Sequence, residues 1–119
     1  MSEPETRQGG CHCGKVRFEV VGEIKKVLAC NCSICAKHGL WLAFVPARDF
    51  RLVSGESSLK DYQFAGKRIH HLFCGECGVE SFARGKTKDG SETIAVNVRC
   101  LDGVDIASLA PASFDGKSL

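Results

Sequence analysis

The sequence predicts a mainly β domain, a small β-sandwich of bent antiparallel sheets. Three observations carry that reading. Short apolar runs recur along the chain, separated by Gly, Asp and Ser. Several alternate apolar with charged residues, the period of a half-buried strand. Helical spacing is confined to two short stretches, Ser33 to His38 and Ile106 to Leu109.

Each element follows from its residues. Val16, Phe18 and Val20 alternate with Arg17 and Glu19, a strand with one face inward. Leu40 to Val45 is a continuous apolar run that Pro46 ends, and Trp41 and Phe44 within it read as core residues. Phe50 to Val53 makes the next strand, followed by a turn at Ser54-Gly55. Leu59, Tyr62 and Phe64 mark another, and Arg68 to Phe73 leads into a pair of cysteines. In that run His70 and His71 must face opposite ways. Val79 to Arg84 and Thr93 to Cys100 flank a loop with Asp89-Gly90 at its tip, which predicts a hairpin with a long turn. Seven or eight strands are expected in all.

Residues 1–8 read as a loose polar tail and 9–119 as one domain. A chain of 119 residues can bury roughly two thirds of its surface, enough for one modest core. With 44% apolar and 25% charged residues it is not a disordered chain. Sixteen basic against 14 acidic residues leave a net charge of +2, too little to drive binding to nucleic acid or a membrane surface. The longest apolar run has six residues, far short of a bilayer span. The first ten residues lack the apolar segment of a secretory leader. The expected compartment is therefore the cytoplasm, where eight cysteines stay reduced or bind metal. The rival, four disulfides, needs a secreted chain.

Seven of the eight cysteines fall in three clusters. Cys11 and Cys13 form a CxC pair whose side chains share a face in extended chain. Cys74 and Cys77 form a CxxC turn, which sets two sulfurs on one ion. Together the two pairs can complete a four-thiolate zinc site that staples an early strand region to a late one, a structural role. Cys30, Cys32 and Cys35 differ. Three thiolates within six residues leave one position of a tetrahedral ion open, as in reactive zinc sites. Three thiolates on Zn²⁺ carry net negative charge, so the ion is a weak Lewis acid toward a carbonyl. It is better suited to holding an exogenous thiol as thiolate, the nucleophilic form. The rival reading closes this site with Cys100 or His38 and makes it structural. His12, between two ligands, should point away from them. Lys25, Lys26, Lys86 and Lys88 read as solvated faces.

At these motifs a resemblance enters. GGCHCGKVRFEV, CNCSICAKHG, FCGECGVESF and AVNVRCLDG, in that order from about Gly9 to Phe114, resemble the domain shared by glutathione-dependent formaldehyde-activating enzymes and centromere protein V. The resemblance implies an Mss-four-like β fold and two zinc ions, one structural on Cys11, Cys13, Cys74 and Cys77. The other would be catalytic on Cys30, Cys32 and Cys35. It implies a carbon–sulfur lyase that joins a small thiol, glutathione or a similar molecule, to formaldehyde or a related electrophile. His38, His70 and Lys37 are the candidate proton donors, and Arg48, Lys67 and Arg68 the candidate anchors for the thiol's carboxylates. Two alternatives belong to other classes. One is a non-catalytic zinc-stabilised binding module. The other is a methionine sulfoxide reductase of type B with Cys100 as its thiol, in which the CxCxxC cluster has no task.

Overall fold

In the computed structural model the described residues are 6–22, 26–30, 33–63, 69–87 and 89–114. They form two sheets. The smaller holds β1 (Thr6–Gly10), β2 (Arg17–Val21) and β5 (Phe50–Ser54), in the order β1-β2-β5. The larger has seven strands in the order β10-β3-β4-β9-β8-β7-β6. These are β3 (Leu28–Cys30), β4 (Trp41–Pro46), β6 (Leu59–Tyr62), β7 (His70–Cys74), β8 (Glu80–Lys86), β9 (Glu92–Asn97) and β10 (Ala112–Phe114). One six-residue helix, α1 (Ser33–His38), joins β3 to β4.

The sheets meet over an apolar core. Phe18 and Val20 of β2 pack with Ala43, Phe82, Ile94 and Val96 of the larger sheet. Phe50 bridges the layers. Its ring stacks on Phe18 at 5.5 Å and meets Phe82 at 4.7 Å. Aromatic pairs at these separations add to the transfer energy of the buried rings. Phe18 and Phe82 are almost fully enclosed, each stabilising the fold by roughly 1.5–3 kcal/mol.

Side chains on the opposite face of the larger sheet meet α1. Leu42, Ala83 and Ala95 form a second apolar cluster with Cys35 and Leu40, and Ile34 and Cys30 pack against it. This burial holds a helix too short to persist by itself. Lys37 and His38 in its last turn suit the negative end of its dipole.

Several sequence expectations meet corrections here. Thr6 to Gln8, read as tail, belong to β1, because Gly9 and Gly10 bring that segment against β2 and Leu101. β3 and β10 lie outside the expected set, and their pairing is parallel, an exception to the antiparallel plan. Ile106–Ser108 is a 3₁₀ turn, not an α-helix. Phe44 is 51% exposed, since α1 covers Leu42 and leaves the outer side of β4 open beyond it. Trp41 packs at the core edge with the Arg99 guanidinium 4.1 Å above its ring. Phe64, Lys67 and Arg68, together with Lys25 and Lys88, lie outside the described residues. No helix among the described residues is long and apolar enough to cross a membrane.

Candidate metal centre and adjoining pocket

The turn between β1 and β2 carries Cys11 and Cys13, while Cys74 is the last residue of β7 and Cys77 lies in the turn that leads to β8. The two turns are built alike. Cys11 N–H donates to the Val16 carbonyl at 3.1 Å and Cys74 N–H to the Val79 carbonyl at 3.0 Å. In each, a glycine follows the second cysteine, and Gly14 and Gly78 hold φ of 84° and 82°. That left-handed conformation strains other residues, and it is what bends the chain back after the sulfur. The Lys15 ammonium and the Glu76 carboxylate, 3.6 Å apart, span the two turns on the surface.

Folding brings the four sulfurs within 4.8 Å of one another. The Cys11–Cys13 and Cys13–Cys74 sulfur pairs are both 3.6 Å apart. A tetrahedron with metal–sulfur bonds near 2.3 Å sets its sulfurs about 3.8 Å apart, so the cluster has the dimensions a zinc ion requires. Backbone amides already point at it. Val16 N–H donates to Cys11 Sγ and Glu76 N–H to Cys74 Sγ, each at 3.4 Å. The four residues could hold a metal ion, as the sequence spacing requires.

Crowded sulfurs also split their acidities. At Cys13 the Lys15 amide lowers the thiol pKa, but burial and the neighbouring Cys11, Cys74 and Cys77 sulfurs outweigh it and carry it to about 11. At Cys77 burial raises the pKa. The Val79 and Cys13 amides and the Cys11 and Cys74 thiols overcome it and bring it to about 6. At Cys11 burial is likewise overcome, by the Val16 amide and the Cys13 and Cys74 thiols, and the net shift is downward. Neighbouring thiols thus favour a first thiolate and resist further ones until a cation arrives.

The second cysteine cluster is described in part. Cys30 ends β3 and is half-buried, and Cys35 is buried in α1. Both pack into the apolar cluster under the helix. Cys32 lies outside the described residues. Among the described residues the four-cysteine group is the one gathering of three or more metal-capable side chains. Cys100 sits at the core edge, with Sγ 4.0 Å from the Glu80 carbonyl. Burial pushes its thiol pKa up, against a hydrogen bond with Ser81, with the charges of Cys11, Cys77 and Glu80 adding to the rise. A thiol so placed makes a poor nucleophile at neutral pH.

A cavity of about 460 Å³ lies between α1 and the outer face of the larger sheet. Ser33, Ile34, Lys37 and His38 of α1 form one wall, flanking Cys35 in sequence. Tyr62, Phe73 and Glu80, from β6, β7 and β8, form the other. Of the candidate anchors, Arg48 is exposed on the turn after β4, away from the residues that line this cavity, and Lys67 and Arg68 lie outside the described residues. Among the candidate donors, His38 and Lys37 line it, while His70 is half-buried outside it and bonded to Asp61 at 2.6 Å. His71 faces inward, as the alternation required.

Sequence reading missed Glu80. Its side chain is 2% exposed, with Oε2 3.0 Å from His71 Nδ1 and Oε1 3.3 Å from His38 Nδ1. The available signal was a carboxylate set among Val79, Phe82 and Ala83 in an otherwise apolar strand.

Residues 6–113 match the family described as glutathione-dependent formaldehyde-activating enzyme. The chain is also similar to a Rhodobacter sphaeroides protein of known crystal structure. The two are 31% identical, with a TM-score of 0.77 over 89% of this chain and 97% of that one.

Proposed function

Because this chain belongs to the family of glutathione-dependent formaldehyde-activating enzymes, we propose that it activates a small thiol, glutathione or a close analogue, for addition to formaldehyde or a related small electrophile. In the cleavage direction it is a carbon–sulfur lyase. The observation that carries this reading is the cavity beside α1, the helix that bears Cys35.

Two metal sites divide the work. Cys11, Cys13, Cys74 and Cys77 would hold a structural zinc, since the protein's own sulfurs fill the tetrahedron. Cys30, Cys32 and Cys35 would hold the catalytic one through three thiolates. Bound there, zinc would supply acidification of an incoming thiol. The rest is done by side chains of the cavity. The Lys37 ammonium attracts a carboxylate of the thiol at the mouth. Ile34, Tyr62 and Phe73 enclose the ligand's apolar parts and limit water around the electrophile.

Metal analysis and a glutathione-dependent formaldehyde assay test the proposal together. The intact chain should carry a zinc ion at each cysteine cluster and consume formaldehyde only with thiol present. Cys32→Ala should keep the structural ion and the fold while losing the other ion and turnover. A fully metallated chain that leaves millimolar glutathione unbound would overturn the reading.

A further inference from the structure

The thiol chemistry above leaves the buried Glu80 carboxylate without a task. A carboxylate that is 2% exposed is costly unless paired. Its Oε2 is paired with Nδ1 of His71, a ring only 5% exposed. Its Oε1 is fully buried and has no aligned hydrogen-bond donor, while His38 Nδ1 stands 3.3 Å away on the cavity wall. The strand beneath is fixed as well, since Asn97 Nδ2 donates to the Glu80 carbonyl at 2.9 Å. The His38 side chain is 41% exposed, so its ring has room to turn and align Nδ1–H with Oε1. Such bonds often tighten only when a ligand is bound.

We propose that His38 is the catalytic proton acceptor and donor of this cavity, and that Glu80 is its positioning residue, braced from behind by His71. The inference rests on the cavity being the site of thiol addition. An imidazole that gives Nδ1–H to a carboxylate is fixed in one tautomer, with its Nε2 lone pair free to take a proton. The two other candidates are less suited. The His70 ring is engaged by Asp61 outside the cavity, and an ammonium such as Lys37 has no lone pair to offer.

The step balances within the site. The thiol S–H proton passes to His38 Nε2. The sulfur lone pair forms the C–S bond as the carbonyl π pair moves onto oxygen. That oxygen then takes the proton back from Nε2, giving the hydroxymethyl thioether and restoring His38. The reverse sequence cleaves the adduct.

Heteronuclear NMR of the histidine ring nitrogens tests the positioning without turnover, with His38→Gln used to assign the signals. Neutral His38 should carry its proton on Nδ1 in the wild-type chain and lose that preference in Glu80→Met. A wild-type His38 protonated on Nε2 overturns the proposal, and needs no variant to fold. So does direct coupling of Nε2 to NMR-active cadmium loaded in place of zinc, since the lone pair would then be occupied. With glutathione and formaldehyde, His38→Gln should lower kcat roughly 100- to 10,000-fold with little change in KM. Glu80→Met should lower it roughly ten- to a hundred-fold. An unchanged kcat in His38→Gln overturns the proposal. A wild-type chain with the Nδ1–H tautomer but no glutathione-dependent turnover overturns the proposed reaction and upholds the positioning.

Discussion

Cys13 is the exposed member of the four-sulfur cluster, which makes Cys13→Ala a clean perturbation. Removing an exposed side chain costs a metal-free chain little, within about 0.5 kcal/mol. In the zinc-loaded chain the same change removes a ligand from a cross-link whose two arms are 61 residues apart. Closing a loop of that length removes unfolded-state entropy equivalent to about 4 kcal/mol. Unfolding 119 residues releases about 250 cal/mol/K, so each kcal/mol moves Tm by about 4 °C. The expected result is a Tm lowered by up to about 16 °C in the zinc-loaded variant, the limit reached when the three remaining sulfurs release the ion, and by no more than about 2 °C after chelation. Scanning calorimetry at fixed free zinc, with metal content measured alongside, reads both arms. Equal shifts in the two forms would refute the argument, because the cluster would then stabilise the fold without acting as a metal cross-link.

Other outcomes follow from single features. An alanine Cβ at Gly9 would lie 2.5 Å from the Cys100 carbonyl oxygen and 2.7 Å from the Phe18 ring, so Gly9→Ala should cost about 1–3 kcal/mol by urea titration. The Arg17 guanidinium holds the Asp102 carboxyl below its ordinary pKa. The depressed folded value makes this contribution complete above the unfolded pKa of about 3.9 and lost as pH falls below it. With the two side chains 34% and 56% exposed, solvent screening keeps the pair under about 1 kcal/mol. The wild-type urea midpoint should therefore approach that of Asp102→Asn as pH is lowered from 6 toward 3. In the chelated chain at pH 7, Cys77, with its pKa near 6, should alkylate well before Cys100, whose thiol burial pushes up. Peptide mass mapping against time gives the order, and prior zinc loading should abolish the early modification of Cys77.

The four-cysteine cluster was legible because its chemistry is local. CxC and CxxC turns prepare two sulfurs each, and few arrangements can use both pairs. The strands with clear alternation, such as Arg17–Val21, were legible for a similar reason. β1 was not, because TRQGG has no apolar pattern, and its place depends on close approach at Gly9. β3 and β10 have three residues each, too few to show a period, and each is defined by its partner. The Glu80 contacts depend on the register shift between Leu72 and Phe73, where β7 pairs with β8. That shift sets Phe73 opposite Glu80, and nothing in the spacing of either strand announces it. Phe44 shows the complementary error. A continuous apolar run suggests burial on both faces, but here the helix is too short to cover the outer one.

The parallel pairing of β10 with β3 bears on how the protein matures on the ribosome. The register sets Cys30 beside Phe114, so the strand leading into the CxCxxC loop lacks its outer neighbour until residues 112–114 have been translated and have left the exit tunnel. At ordinary elongation rates that delay is on the order of ten seconds. Until then β3 has β4 as its one sheet neighbour, and the Cys30 thiol at its end meets the cellular milieu before its surroundings are complete.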